Sequence, residues 1–111
     1  MESLQELREQ LDEIDSQIVE LYQKRMDVCG KVGEYKVTTG KKVFDKQREK
    51  EKLAAVTAHV TDEFHKKGLT ELFELLMSMS RELQYQILEK HGVVEAMDDS
   101  AEAVKNININ S

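Results

Sequence analysis

A chain of 111 residues with a formal net charge of −6 is one domain's worth of sequence with no basic excess for phosphate, which counts against nucleic acid as a partner. Hydrophobic residues are 40% of the total and charged ones 34%, so the chain can fold but its core must be thin, and pairing with a second copy would help it. No apolar run nears the ~18 residues of a membrane span, and the opening MESLQELREQ has no apolar signal core. The single cysteine, Cys29, excludes an intramolecular disulfide and fits a reducing compartment, so the chain is expected to be cytoplasmic.

Five glycines and no proline, with abundant Leu, Glu, Lys and Gln, point to an all-α fold. Ser3-Leu4-Gln5-Glu6 has the form of a capping box. Apolar residues then recur at Leu4, Leu7, Leu11, Ile14, Ile18 and Leu21, a helical stripe of nearly heptad spacing that continues through Val28 or Cys29 to Val32. This first helix should stop near Thr38-Thr39-Gly40, after about 35 residues or roughly 50 Å. A short loop over 38–44 leads to Asp45, an N-cap for a second helix that carries Leu53, Val56, Val60 and Phe64 inward. Lys66-Lys67-Gly68 is expected to close that helix, and a third runs from about Thr70 to His91, ended by Gly92. Residues 1–91 form the helical domain. The remainder, 92–111, holds Glu95, Asp98, Asp99 and Glu102 against Lys105 alone and is expected to be an acidic disordered tail or a linker.

A helix of roughly 50 Å outruns a compact domain of this size, whose radius of gyration is about 13 Å. Either the second and third helices cover different parts of its stripe, or a second chain does. A homodimer with the long helices side by side, intertwined, meets that demand.

The first stripe is interrupted by charges. Its register reaches Arg25 and Lys36, which differ by about 20° around the helix and roughly 16 Å along it, so both can reach one small molecule. Inward cations need anionic company. Arg8 lies roughly 25 Å from Arg25 on the same helix and cannot join them, but in an antiparallel dimer it approaches the middle of its partner's helix. The stripe of the second helix, traced back from Val56 and Leu53, arrives at Glu49, beside Arg48 and one turn from Asp45. On the third, Phe73, Met77, Ser80, Gln84 and Ile87 put a hydroxyl and an amide four residues apart on an apolar face.

Each of these residues has a plainer role open to it. Arg8 can snorkel to water, Arg48 and Glu49 can belong to a solvated charged run, Ser80 can back-bond, and Gln84 can fix pairing register. Their coincidence on facing stripes of three helices favours a site. The inventory contains no nucleophile–base pair and no ligand cluster for a metal. His59, His65 and His91 are expected at the surface, and no cofactor is implied.

These residues, in this order, resemble the all-helical class of chorismate mutases over about residues 3–90. The motifs that carry the resemblance are Leu-Arg near the start of the long helix, EIDSQIVELYQKR, VGEYK, VFDKQREKEKL with its Asp45, Arg48 and Glu49, and SRELQ. The resemblance implies an intertwined three-helix homodimer that rearranges chorismate to prephenate, in aromatic amino-acid biosynthesis, without a cofactor. It further implies that Arg25, and Arg8 from the partner chain, hold the substrate's carboxylates. Lys36 contacts a carboxylate and the ether oxygen of the breaking bond, and Gln84 donates a second hydrogen bond to that oxygen. Glu49 accepts from the ring hydroxyl, Arg48 and Asp45 line the same end, and Ser80 bonds a carboxylate. The neutral amide of Gln84 implies activity that does not require acid pH. An isochorismate pyruvate lyase of the same fold and a non-catalytic helical dimerisation module stand as alternatives. The chain would suit a stand-alone enzyme or the front domain of a bifunctional chorismate mutase–prephenate dehydratase.

Overall fold

In the computed structural model, which describes residues 1–93, the chain forms three helices, α1 (Leu4–Thr39), α2 (Lys46–Thr57) and α3 (Glu63–Lys90). The expected tail, from residue 94 onward, lies outside the described residues. None of the helices is long and apolar enough to cross a membrane.

The ends of α1 follow from local chemistry. The Ser3 Oγ accepts from the Glu6 N–H at 3.1 Å and turns its own hydrogen to the Glu6 carboxylate, which anchors the first turn as a capping box does. At the other end Gly40 takes φ 72° and donates its N–H to the Lys36 carbonyl at 2.9 Å, a left-handed cap open to a residue without Cβ. Between them runs an unbroken 36-residue helix, about 54 Å at 1.5 Å per residue, in a molecule whose long dimension is 57 Å.

Asp45 caps α2 as expected, its Oδ1 accepting from the Arg48 N–H at 3.0 Å. The boundary between the second and third helices is a correction. α2 ends at Thr57, and Asp62 caps a third helix that begins at Glu63, so Lys66-Lys67-Gly68 lies inside α3 and Phe64 is 80% exposed instead of facing inward. Asp62 Oδ1 accepts from the Phe64 N–H and its Oδ2 takes His65 Nδ1 at 2.7 Å, so this first turn is anchored by its own side chains. A glycine within a helix costs only about 1 kcal/mol relative to alanine, which the long apolar face of α3 outweighs. Gly92, again at φ 72°, ends α3 with the Val93 N–H on the Leu88 carbonyl and its own on that of Glu89, the paired bonds of a Schellman motif.

α1 and α3 run parallel. Tyr22 reaches Met79, Gly33 meets Gln84 and Ile87, and Glu34 pairs with His91 at 3.1 Å, so both numberings climb together. α2, which packs on α3, leads the chain back from the end of α1 to the start of α3. Gly33 is the closest point of this packing. A Cβ there would sit 3.1 Å from Ile87 Cδ1 and 3.4 Å from the Gln84 backbone, so a bare backbone lets α3 press Gln84 against α1. The resulting core is small, with Val43, Met77 and Leu88 its fully buried apolar side chains.

The N-terminal half of α1 is not part of it. Every residue from Leu4 to Lys24 is exposed, Leu4, Leu11, Ile14 and Ile18 at half or more of their surface. Among the described residues, neither α2 nor α3 covers that stripe. The radius of gyration, 17.1 Å, exceeds the about 13 Å of a compact domain of this length accordingly.

The two glycines of the α1–α3 seam should part ways on substitution. Gly33→Leu is expected to lose about 2 kcal/mol by overpacking. Gly30→Ala, with no side-chain atom nearer than 3.9 Å to the new Cβ, should be neutral or gain up to about 1 kcal/mol. Urea denaturation of both variants checks the contrast.

Candidate active site

Three helical faces close on one cavity of about 220 Å³. From α1 come Arg25, Val32 and Lys36. From the start of α2 come Asp45, Arg48, Glu49 and Lys52, and from α3 Met77, Ser80, Arg81 and Gln84. In both sets the spacing is i, i+3, i+4, i+7, a single helical face. Val43, in the connection between α1 and α2, forms part of the wall. Lys36 Nζ donates to the Val43 carbonyl at 2.9 Å, tying the connection to the end of α1.

Seven of the eight residues expected from sequence are therefore brought together: Arg25, Lys36, Asp45, Arg48, Glu49, Ser80 and Gln84. Arg8 is not among them. It stands exposed on the uncovered half of α1, about 25 Å along the helix from Arg25. Sequence reasoning passed over Arg81 and Lys52. Lys52 was discernible as the residue one turn beyond Arg48 and Glu49 on the same face, and Arg81 as the residue four beyond Met77 and three before Gln84. Both read as ordinary surface charges because nothing within a few turns of either shows what faces it.

Arg81 is far from the surface. Its side chain is 11% exposed and its Nη1 ion-pairs with Glu49 Oε1, whose side chain is 22% exposed. The guanidinium also lies over the Phe44 ring, 5.0 Å from its centroid, a favourable cation–π placement. Ser80 and Gln84 are buried on the same face, at 8% and 6% exposure, with Gln84 Nε2 donating to Ser80 Oγ at 2.9 Å. Two buried polar atoms of this wall, Arg81 Nε and Gln84 Oε1, have no hydrogen-bond partner among the described residues. Because the Ser80 hydroxyl can donate as readily as accept, the Gln84 amide can turn to present its NH₂ to the cavity while remaining anchored.

The cavity is strongly cationic in an acidic chain. Arg25, Lys36, Arg48, Lys52 and Arg81 face only Asp45 and Glu49. Asp45 spends one oxygen on the α2 cap and Glu49 one on Arg81. Like charges gathered in a concave, partly desolvated wall attract an anion and gain from binding it. The fork geometry of several guanidinium groups suits carboxylates in particular. Among the described residues no cluster of His, Cys, Asp and Glu is arranged to hold a metal ion, and His59, His65 and His91 are all exposed.

Fold and site thus define an all-helical protein with a cavity for a small polyanion, lined by hydrogen-bond donors. The family model of chorismate mutase type II matches residues 7–85, a stretch that holds every lining residue named above, and the chain belongs to that family. Its activity is that of a chorismate mutase, an isomerase with chorismate as substrate, and the match favours neither the lyase nor a non-catalytic module. No curated protein and no solved structure gives a match to the chain.

Ser80→Ala should leave the buried Gln84 amide without its anchor. A loss of about 1–3 kcal/mol is expected, the cost of an unsatisfied buried polar group, measured by chemical denaturation against the unmodified protein.

Proposed function

We propose that this cavity is the site at which chorismate becomes prephenate, and that a homodimer completes it, Arg8 of each chain reaching the cavity of the other. The reaction is an intramolecular rearrangement in which a C–O bond breaks as a C–C bond forms, with no proton removed and no covalent intermediate. Two tasks remain for the protein. It must hold the enolpyruvyl arm over the ring in the reactive diaxial form, an orientation effect, and it must stabilise negative charge growing on the ether oxygen.

Arg25 and the partner-supplied Arg8 take the two carboxylates, with Ser80 bonding a carboxylate oxygen and Arg48 and Asp45 lining the end where Glu49 sits. Lys36 and the Gln84 amide meet the ether oxygen, a fixed cation and a fixed donor aimed where charge develops. Glu49 accepts from the ring hydroxyl. The observation that carries this reading is the lining itself, five cations against two carboxylates with a buried amide among them. The family match supports chorismate as the anion.

The dimer is supported by the bare half of α1. Seven apolar side chains from Leu4 to Leu21 stand 41% or more exposed, and covering a Leu or Ile side chain is worth about 1.5–3 kcal/mol. A second copy laid antiparallel along α1 would cover them and carry its Arg8 toward the Arg25–Lys36 segment.

Lys36→Ala and Arg25→Ala should each lose most of kcat/KM, Lys36→Ala by on the order of 3 kcal/mol in transition-state stabilisation, while circular dichroism stays helical. Retained turnover in both variants would falsify the assignment. A mixing experiment addresses the shared site. Arg8→Ala and Arg25→Ala homodimers each lack one cation in both cavities, but a mixed dimer has one cavity intact. After subunit exchange the inactive pair should recover about a quarter of unmodified activity, as half of the dimers are mixed and each has one of two sites restored. No recovery, with exchange demonstrated, means that Arg8 does not act across chains.

A further inference from the structure

We infer that Arg81 is a positioning residue of the active site, holding the Glu49 carboxylate so that one oxygen is fixed and the other is presented to the substrate. The inference rests on the reading of Glu49 as the acceptor for the ring hydroxyl and adds the residue that aims it. Glu49 Oε1 is bound by Arg81 Nη1 across the cavity wall, from α2 to α3, and Oε2 makes no hydrogen bond or ion pair among the described residues. A carboxylate with one oxygen anchored has its second oxygen's direction set. Without the anchor it turns about its own side-chain bonds. It also has a rival partner, since Lys52 lies three residues on along the same face of α2, within reach of an i,i+3 ion pair. Paired there, Glu49 would be drawn along its own helix and away from α3.

The guanidinium is itself held. It lies over Phe44, from the same connection that Lys36 grips through Val43, and it is nearly buried. An arginine serving the fold alone would be saturated at that depth, yet its Nε has no hydrogen-bond partner among the described residues. Its one ion pair among those residues is with the site carboxylate. Arg81 follows Ser80 and precedes Gln84 by one turn, so the same stretch of α3 that supplies the hydroxyl and the amide also orients the acid opposite them.

A double-mutant cycle on the full chain tests this, with kcat/KM for chorismate as the readout. Arg81→Met should lower kcat/KM about tenfold or more in the otherwise unmodified protein and less than about twofold in a Glu49→Ala background, because a residue acting only through Glu49 has nothing left to orient. Arg81→Lys keeps the charge without the planar fork and should show a smaller loss, absent again in the Glu49→Ala background. Should Arg81→Met fail to fold, as judged by circular dichroism, the Lys variant decides by the same comparison. Equal losses in both backgrounds overturn the positioning role and assign Arg81 to the substrate or the fold directly. No loss in either also overturns it. If Glu49→Ala alone keeps full activity, the reading of Glu49 itself fails, and this inference fails with it, an outcome distinct from additive losses with Glu49 essential.

Discussion

Mutual repulsion among five cations in one small cavity is the constraint around which the rest of this molecule is arranged. Two unit charges about 6 Å apart repel by on the order of 3 kcal/mol at an effective dielectric constant of 20. Asp45 and Glu49 offset only part of that sum, each with one oxygen already engaged. A folded state that holds Arg25, Lys36, Arg48, Lys52 and Arg81 around a common space is therefore favoured further by any anion that enters. Chorismate, with two carboxylates and an ether oxygen that gains charge as its bond breaks, is such an anion, and under the proposed function the same cations serve binding and catalysis.

The scaffold that permits this is a single long helix used in two ways. Its second half packs parallel to α3, closely enough at Gly33 that the Gln84 backbone lies within 3.4 Å of an added Cβ. That contact sets the depth of Gln84 and, through the hydrogen bond at 2.9 Å, of Ser80. The first half carries a regular apolar stripe that neither of the other two described helices covers. In the proposed dimer, stability and the completeness of the site are thereby linked through one element. Whatever lies on the stripe from Leu4 to Leu21 also lies against Arg8, which stands between Leu7 and Leu11.

Much of this was legible in the residues. The stripe spacing, the Ser3 box, Gly40 and Asp45 mark the ends of α1 and the start of α2 at the positions observed, because caps are local and their side chains bond backbone groups within a turn. The α2–α3 boundary was misplaced because Lys66-Lys67-Gly68 imitates a helix end, while the real signal, Asp62 four residues earlier, is a common surface residue until its oxygens are seen on Phe64 and His65. Arg81 was missed for a related reason. A charge beside a polar pair on a helix looks solvated unless the facing helix is known, and Glu49 is 32 residues away in sequence.

The sequence by itself determined the helical class, the length of α1, the polar interruptions of its stripe and the family to which the chain belongs, since each depends on periodicity, caps or motifs within a few turns. Only the tertiary structure decided that the faces of three separate helices meet in one cavity, that Arg81 rather than a nearer cation engages Glu49, and that the first half of α1 is left uncovered by the other described residues. Those outcomes depend on how helices distant in sequence dock, which side-chain volume at the seam and the bare backbone of Gly33 control, and no local pattern encodes them.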